Sequence, residues 1–281
     1  MRLATIVARG RLVAAVVRDD AVLPLPANRG WESIRTIAGA GPRALREITD
    51  WVATTDVTAA ARLSDVDFGP AIPDPGAIYT IGLNYRAASE PVAPAPSRPL
   101  VYGKATSSVS GHLVAVAWDR SLTANVDPEC ELGVVIGAGA TAVSPDEAMS
   151  HVFGYTIIND ISSRDPWLDG DQWLLGKSMP GFCPVGPWVV TADELVPDDL
   201  GLGCMINGVA IQDGRTSQMR TGIPELISYV SRHATLRPGD LIATGTPARL
   251  GDPLGPDRHL EAGDDVTAWI EGIGRLRTII G

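Results

Sequence analysis

The strongest constraint on the fold is a succession of short apolar runs with strand character and a scarcity of segments long enough for helices. Such runs occupy Leu100 to Tyr102, Glu131 to Ile136, Val152 to Ile158, Trp188 to Thr191, Gly203 to Ile206, Asp240 to Thr244 and Val266 to Ile270. A chain of this kind must pair its strands into sheets, because an unpaired buried strand leaves backbone N–H and C=O groups without partners. Helical spacing is confined to a few places. Ile223, Leu226, Ile227 and Val230 predict a helix over Gly222 to Ser231, and a short one begins near Pro145, with Ser144 as N-cap and Asp146 and Glu147 in its first turn. Upstream, residues 3 to 25 alternate as an antiparallel meander. The spacing of Ile34, Ile37, Ala38, Leu45, Ile48, Trp51 and Val52 predicts two short helices broken between Gly39 and Pro42. The Pro- and Gly-rich stretch GPAIPDPGAIYTIG (69–82) marks a boundary between a small amino-terminal domain, 1–70, and a larger one, 71–281. No internal repeat is visible, and PVAPAPSRP (91–99) reads as an extended surface linker or part of a lid.

Composition excludes several classes. With 281 residues, 45% of them hydrophobic, the chain can bury a large core. A net charge of −10 opposes association with nucleic acid or an anionic membrane. No apolar run approaches the roughly 18 residues needed to cross a bilayer, and the charges at Arg9, Arg11, Arg18, Asp19 and Asp20 break any signal-peptide pattern. Cys130, Cys183 and Cys204 are an odd number without CxxC spacing, so neither a disulfide framework nor a thiolate zinc site is expected, and the reducing cytoplasm is the expected location. The cations are lopsided, with Lys104 and Lys177 the only lysines beside 21 arginines. A lysine kept among so many arginines marks a place where a compact ammonium serves better than a guanidinium fork.

Four segments carry candidate chemistry. In DPECELGVVIG (127–137) a period-two strand puts Glu129 and Glu131 on one face, running into an apolar stretch that reads as a buried strand. Two buried acids side by side repel, so the pair needs either solvent, as at an ordinary strand end, or a cation. GYTIINDISSRD (154–165) is an apolar strand with polar residues at its exit. Asp160 there can be a third hard oxygen ligand for Mg²⁺ or Mn²⁺, or cap the next turn. Arg164 can take a substrate carboxylate in a bidentate pair, or simply bond Asp165 at the surface. In QWLLGKS (172–178), Lys177 beside a metal would stabilise an enolate or oxyanion. In PGDLIATGTPARLG (238–251), the turn at Gly245 and Thr246 offers backbone N–H groups to a carboxylate, or is a plain turn.

Taken in order, these segments resemble the fumarylacetoacetate hydrolase family across roughly residues 70 to 279. The resemblance also covers IGLNY (81–85), GKATSSVSG (103–111), PVGPW (184–188) and NGVAIQDGRTSQM (207–219), and both lysines fall inside matching motifs. It implies an α+β fold built on a large mixed β-sheet roll with a small amino-terminal domain, and a homodimer. It further implies that Glu129, Glu131 and Asp160 bind Mg²⁺ or Mn²⁺, that Arg164 and Lys177 are catalytic, and that Gly245 and Thr246 join them in binding substrate. The implied substrate is a small-molecule β-diketo or 2-oxo acid that chelates the ion.

The chain also departs from the family. Hydrolytic members carry a His and, three residues later, a Glu on a lid, where they position and deprotonate water; here those places hold Ala88 and Pro91, and Glu90 is one residue out of register. A Gln expected after the RD pair is Trp167. Of the histidines, His112 lies nearest a motif, and His151, His233 and His259 match none. The first expectation is therefore a divalent-metal-dependent hydrolysis or decarboxylation of a C–C bond through an enolate held at the metal. Tautomerisation or isomerisation of a 2-oxo acid, a biosynthetic cyclisation or dehydration, and a non-catalytic binding scaffold are the alternatives that Ala88 opens.

Overall fold

The fold is seen in a computed structural model that describes residues 1–56, 60–87, 89–91, 98–165, 172–255 and 258–281. The chain opens as the predicted meander, β1 (Arg2–Ala8), β2 (Arg11–Arg18) and β3 (Ala21–Pro24). Period-two alternation sends its apolar side chains to opposite faces. Leu3, Ala14 and Val16 pack with Ile34, Ile37 and Ile48 of helix α1 (Ile34–Thr54), whereas Ala4, Ile6, Ala15 and Val17 pack with Phe68 and Trp188. Ser33 caps α1 by accepting the Thr36 N–H at 3.1 Å. The helical run is broken at Gly41, with φ 65° and ψ −152°, ahead of Pro42, so two helical segments meet at the expected break.

After β4 (Ala61–Arg62) come β5 (Ile78–Gly82), β6 (Leu100–Gly103) and the two-residue strands β7 (Val109–Ser110), β8 (Ala115–Val116) and β9 (Val126–Asp127). Then follow β10 (Cys130–Ile136), helix α2 (Pro145–Ala148), β11 (Val152–Asn159), β12 (Ser162–Ser163), the short helix α3 (Trp173–Gly176) and β13 (Cys183–Thr191). The chain closes with β14 (Gly201–Ile206), β15 (Val209–Arg215), helix α4 (Ile223–Ser231), β16 (Leu241–Ala243), β17 (Asp265–Ile270) and β18 (Gly274–Ile280). The Ser144 cap of α2 is present as a capping box with Glu147. No helix among the described residues is long and apolar enough to cross a membrane.

Two sheets organise these strands. The larger runs β4-β3-β2-β1-β13-β11-β10-β16-β5-β6, with β7 attached to β13; it is mixed, since β5 lies parallel to β16 and most other pairs are antiparallel. The smaller runs β15-β14-β17-β18-β8. Between them lies one core, with Leu132, Val134 and Ile157 from the large sheet meeting Leu202, Ile206, Val266 and Leu276 from the small one and Leu226 and Ile227 from α4. The other face of the large sheet is covered by α1. The architecture is the expected α+β arrangement dominated by mixed sheet. Besides the two-residue strands, β5, β15 and β18 escape the sequence reading, and β13 is longer than it suggests. β15 carries polar residues along a sheet edge, and β18 alternates Arg275 and Arg277 with buried Leu276, Thr278 and Ile280. β13 passes through Pro184 and Pro187, a residue type that ordinarily interrupts a strand; its register against β11 shifts between Tyr155 and Ile157, beside Pro187, where the ladder needs no N–H from that residue.

The α1 break yields a paired test. Gly41→Ala meets nothing within 4 Å yet forces alanine into a backbone conformation reserved for glycine, so it is expected to cost about 1–3 kcal/mol. Gly39→Ala, in helical conformation with only an ordinary 3.5 Å contact to Pro238, is expected to be neutral or stabilising by up to about 1 kcal/mol. Urea unfolding of the two variants measures the difference directly.

Candidate metal centre and active site

The antiparallel register of the large sheet builds the site. β10 pairs with β11 so that Cys130 lies opposite Asn159, which sets Glu129, one residue earlier, against Asp160, one residue later. The Asp160 N–H donates to the Glu129 carbonyl at 2.8 Å, and the Asn159 side-chain oxygen accepts the Glu129 N–H at 3.1 Å. On its other side β10 pairs with β16, with Gly133 opposite Ala243, and the same register brings Glu131 against Gly245, whose N–H donates to the Glu131 carboxylate at 2.8 Å. Gly245 has φ +94°, and a Cβ there would stand 2.9 Å from the Ile81 carbonyl oxygen, so the turn requires glycine. Carboxylate oxygens of Glu129, Glu131 and Asp160 thus converge within 4.8 Å of one another.

Cations surround this cluster. Lys104 Nζ donates to Asp160 Oδ1 at 2.5 Å and to the Ile161 carbonyl at 3.1 Å, both side chains being fully buried. Lys177, placed by the turn after α3, donates to Glu129 Oε2 at 2.8 Å, to Asp160 Oδ2 at 3.0 Å and to the Ser162 hydroxyl. Arg164 donates to Glu129 and, at 3.3 Å, to Asp127, while its neighbour Asp165 accepts from Thr123 and, at 3.1 Å, from Asn125. Burial alone would raise the Glu129 carboxyl, but Lys177 and Arg164 hold it down to about 2. Burial pushes Glu131 well above the usual carboxylate range, and the charges of Asp160 and Glu129 push it further. Against the burial that would lower it, Asp160 and Glu129 keep the Lys177 ammonium firmly protonated.

The donor set fits a hard divalent ion. It is all oxygen, its oxygens would draw in from within 4.8 Å to the roughly 3–4 Å that separates ligands held about 2.1 Å from an octahedral ion, and Glu131 lacks a cation of its own among the described residues. Beside the cluster opens a cavity of about 370 Å³ whose lining includes Glu129, Glu131, Arg164, Lys177 and Thr246. Thr246 donates to the Cys130 carbonyl at 2.8 Å, and Gly245 spends its N–H on Glu131, so this turn buttresses the acids as well as bordering the cavity.

Sequence reasoning marked Lys104 by its rarity without giving it a role at the site, and passed over Asp127, Arg249, Tyr102, Trp173 and Gln212, which line the cavity. Gln212 is a clamp: its side-chain oxygen accepts the Cys130 N–H at 2.9 Å, while its nitrogen donates to Thr246 Oγ1 at 2.8 Å and the Pro247 carbonyl at 2.9 Å. Ala88, Trp167 and residues 92–97 of the Pro-rich segment lie outside the described residues. Glu90 does not line the cavity; it pairs with Arg220 at 2.7 Å. His112, pushed down to about 4 by burial and by Arg277, accepts the Arg277 N–H at 3.1 Å away from the site.

Comparison with known proteins agrees with this arrangement. The family model for the fumarylacetoacetate hydrolase C-terminal domain matches residues 77–280. The chain belongs to the fumarylacetoacetate hydrolase family. Among solved structures it is similar to a fumarylacetoacetate hydrolase from Exiguobacterium antarcticum, with 31% identity and a TM-score of 0.87 over 100% of this chain and 99% of that one. It is also similar to a 2-hydroxyhepta-2,4-diene-1,7-dioate isomerase from Mycobacterium marinum, with 31% identity and a TM-score of 0.74 over 100% and 98% of the two chains. A third is the maleylpyruvate hydrolase of Sphingobium sp. SYK-6 in complex with manganese(II) and pyruvate, at 28% identity and a TM-score of 0.80 over the full length of both chains. Family relatives with this fold thus include hydrolases and isomerases, and one of them holds Mn²⁺.

The raised Glu131 has a stability consequence. Its folded-state value lies above the ordinary 4.5, so as pH rises past 4.5 the unfolded chain releases this proton before the folded one does, and the metal-free protein loses stability. Glu131→Gln removes that loss. At pH 8 without metal the variant is expected to melt about 2 °C or more above the parent, and the difference should shrink at pH 5. A melt series across pH in a chelating buffer checks both signs.

Proposed function

We propose that this family member is a divalent-metal-dependent enzyme that cleaves a C–C bond of a β-diketo or 2-oxo acid, by hydrolysis or by decarboxylation. The observation that carries the reading is the convergence of Glu129, Glu131 and Asp160 beside a cavity into which Lys177 and Arg164 also reach. These three acids would hold Mg²⁺ or Mn²⁺, which when bound supplies Lewis-acid polarisation of a chelated carbonyl. Lys177, whose ammonium Asp160 and Glu129 favour in its charged form, is a positive charge placed for an oxygen that gains electron density. Arg164 at the cavity edge would exchange part of its pairing with Glu129 and Asp127 for the substrate carboxylate. Gly245 and Thr246 hold the acids and the cavity wall in register for that contact. A homodimer in the cytoplasm completes the reading.

A second reading, tautomerisation or isomerisation of a 2-oxo acid, is favoured by one specific observation. No histidine among the described residues lines the cavity, and Glu90 is committed to Arg220, so no such group stands ready to deprotonate water. Enolate chemistry needs the cations more than it needs that base.

Proton NMR in D₂O with Mg²⁺ and oxaloacetate, acetylpyruvate or fumarylpyruvate separates these outcomes. Cleavage that Glu131→Ala abolishes supports the first reading, deuterium exchange beside the ketone without cleavage supports the second, and silence in both channels overturns both. Restoring the lid pair, Ala88→His with Pro91→Glu, is expected to raise acylpyruvate hydrolysis by about 10²-fold if water activation is what limits the chain, and kcat with acetylpyruvate measures it.

A further inference from the structure

The cavity beside the carboxylate cluster has two unlike walls. On one, the Tyr102 ring lies 5.2 Å from Lys177 Nζ and meets Trp173 edge to face at 4.8 Å, so an aromatic surface leads away from the ionic floor. At the mouth stands Leu83, 84% exposed and held at φ 53°, a conformation bulky residues rarely adopt. Ile81 and, beside the Arg249 segment, Ile211 are further apolar residues of the lining. On the other wall Arg249 donates to Asp127 at 3.2 Å and to the Arg258 carbonyl at 2.7 Å, its Nε is buried, and Asp127 also takes Arg164 and His259. The charges of that wall are paired with one another, and only the buried Arg249 Nε–H is without a hydrogen-bond partner among the described residues.

Charge bookkeeping points the same way. Glu129, Glu131, Asp160 and Asp127, when ionised, face Lys104, Lys177, Arg164 and Arg249. These balance, so a bound divalent ion leaves two positive charges, which one carboxylate and one enolate oxygen neutralise. A second carboxylate on that enolate would enter with no net positive charge left to meet it among the described residues, and would lose part of its hydration against Tyr102 and Trp173. We propose that the outer half of the cavity takes an uncharged alkyl or aryl tail, so that the substrate is a 2-oxo acid with one carboxylate and an apolar substituent rather than a dicarboxylate. This rests on reading the acid cluster as a metal and 2-oxo-acid site.

The test uses two ligands of equal length that differ only at the end of the tail, 2-oxohexanoate with a methyl and 2-oxoadipate with a carboxylate, and pyruvate as the head group alone. Affinities are measured by calorimetry on the full chain loaded with Mn²⁺. Each buried methylene contributes about 0.8 kcal/mol, so 2-oxohexanoate is expected to bind about 10-fold or more tighter than pyruvate, and about 10-fold or more tighter than 2-oxoadipate. Leu83→Ala, a change at an exposed position, and Trp173→Ala are each expected to cut the ratio of 2-oxohexanoate to pyruvate affinity by about threefold or more. If pyruvate binds but 2-oxoadipate equals or exceeds 2-oxohexanoate, the apolar-tail assignment is overturned while the metal-site reading stands. If pyruvate itself fails to bind, the metal-site reading falls and takes this assignment with it.

Discussion

Everything at the site depends on the hydrogen-bond register of β10 between β11 and β16. A strand has a side-chain period of two, so a slip of one residue against β16 would carry Glu131 away from Gly245, one against β11 would part Glu129 from Asp160, and either would mismatch the two buried faces of β10 with their cores. The same ladder that buries Leu132 and Val134 therefore fixes Glu129 against Asp160 and Glu131 against Gly245. Acids this close would otherwise separate. Core packing holds them there, and the sheet rather than any loop sets their spacing.

The second constraint is electrostatic. Ionised carboxylates out of water are tolerated only with hydrogen-bonded counter-charges, and the chain places its two lysines and Arg164 for that purpose. Lys104 and Lys177 approach Asp160 from different segments, each with its ammonium as a compact donor, where a guanidinium fork would need more room. Glu131 has no such ion pair among the described residues, and burial, reinforced by the charges of Asp160 and Glu129, makes its carboxyl resist ionisation against the one backbone N–H that favours the anion.

Much of this was legible in the chain itself. The acid pair before an apolar run, the Asp at the exit of the next long strand and the lysine after Gly176 could be read from spacing, and the strands around them from short continuous apolar runs. The cavity walls could not. Tyr102, Asp127, Trp173, Gln212 and Arg249 come from separate segments, and only the pairing of distant strands brings them together. β13 was obscured by prolines that a shifted register accommodates, and β15 by the polar residues of an edge strand. Asp127 looked like part of a solvated strand end, whereas it gathers Arg164, Arg249 and His259 around one carboxylate.

The Gln212 side chain joins parts of the molecule that the strand order keeps separate. It belongs to the edge strand of the small sheet, yet the N–H it accepts is that of Cys130, between the two glutamates of the large sheet. That amide proton is released to solvent only when the two sheets part or the glutamine swings away. Its exchange rate consequently reports the cohesion of one sheet with the other, a property of the whole molecule, from a single backbone position at the centre of the site.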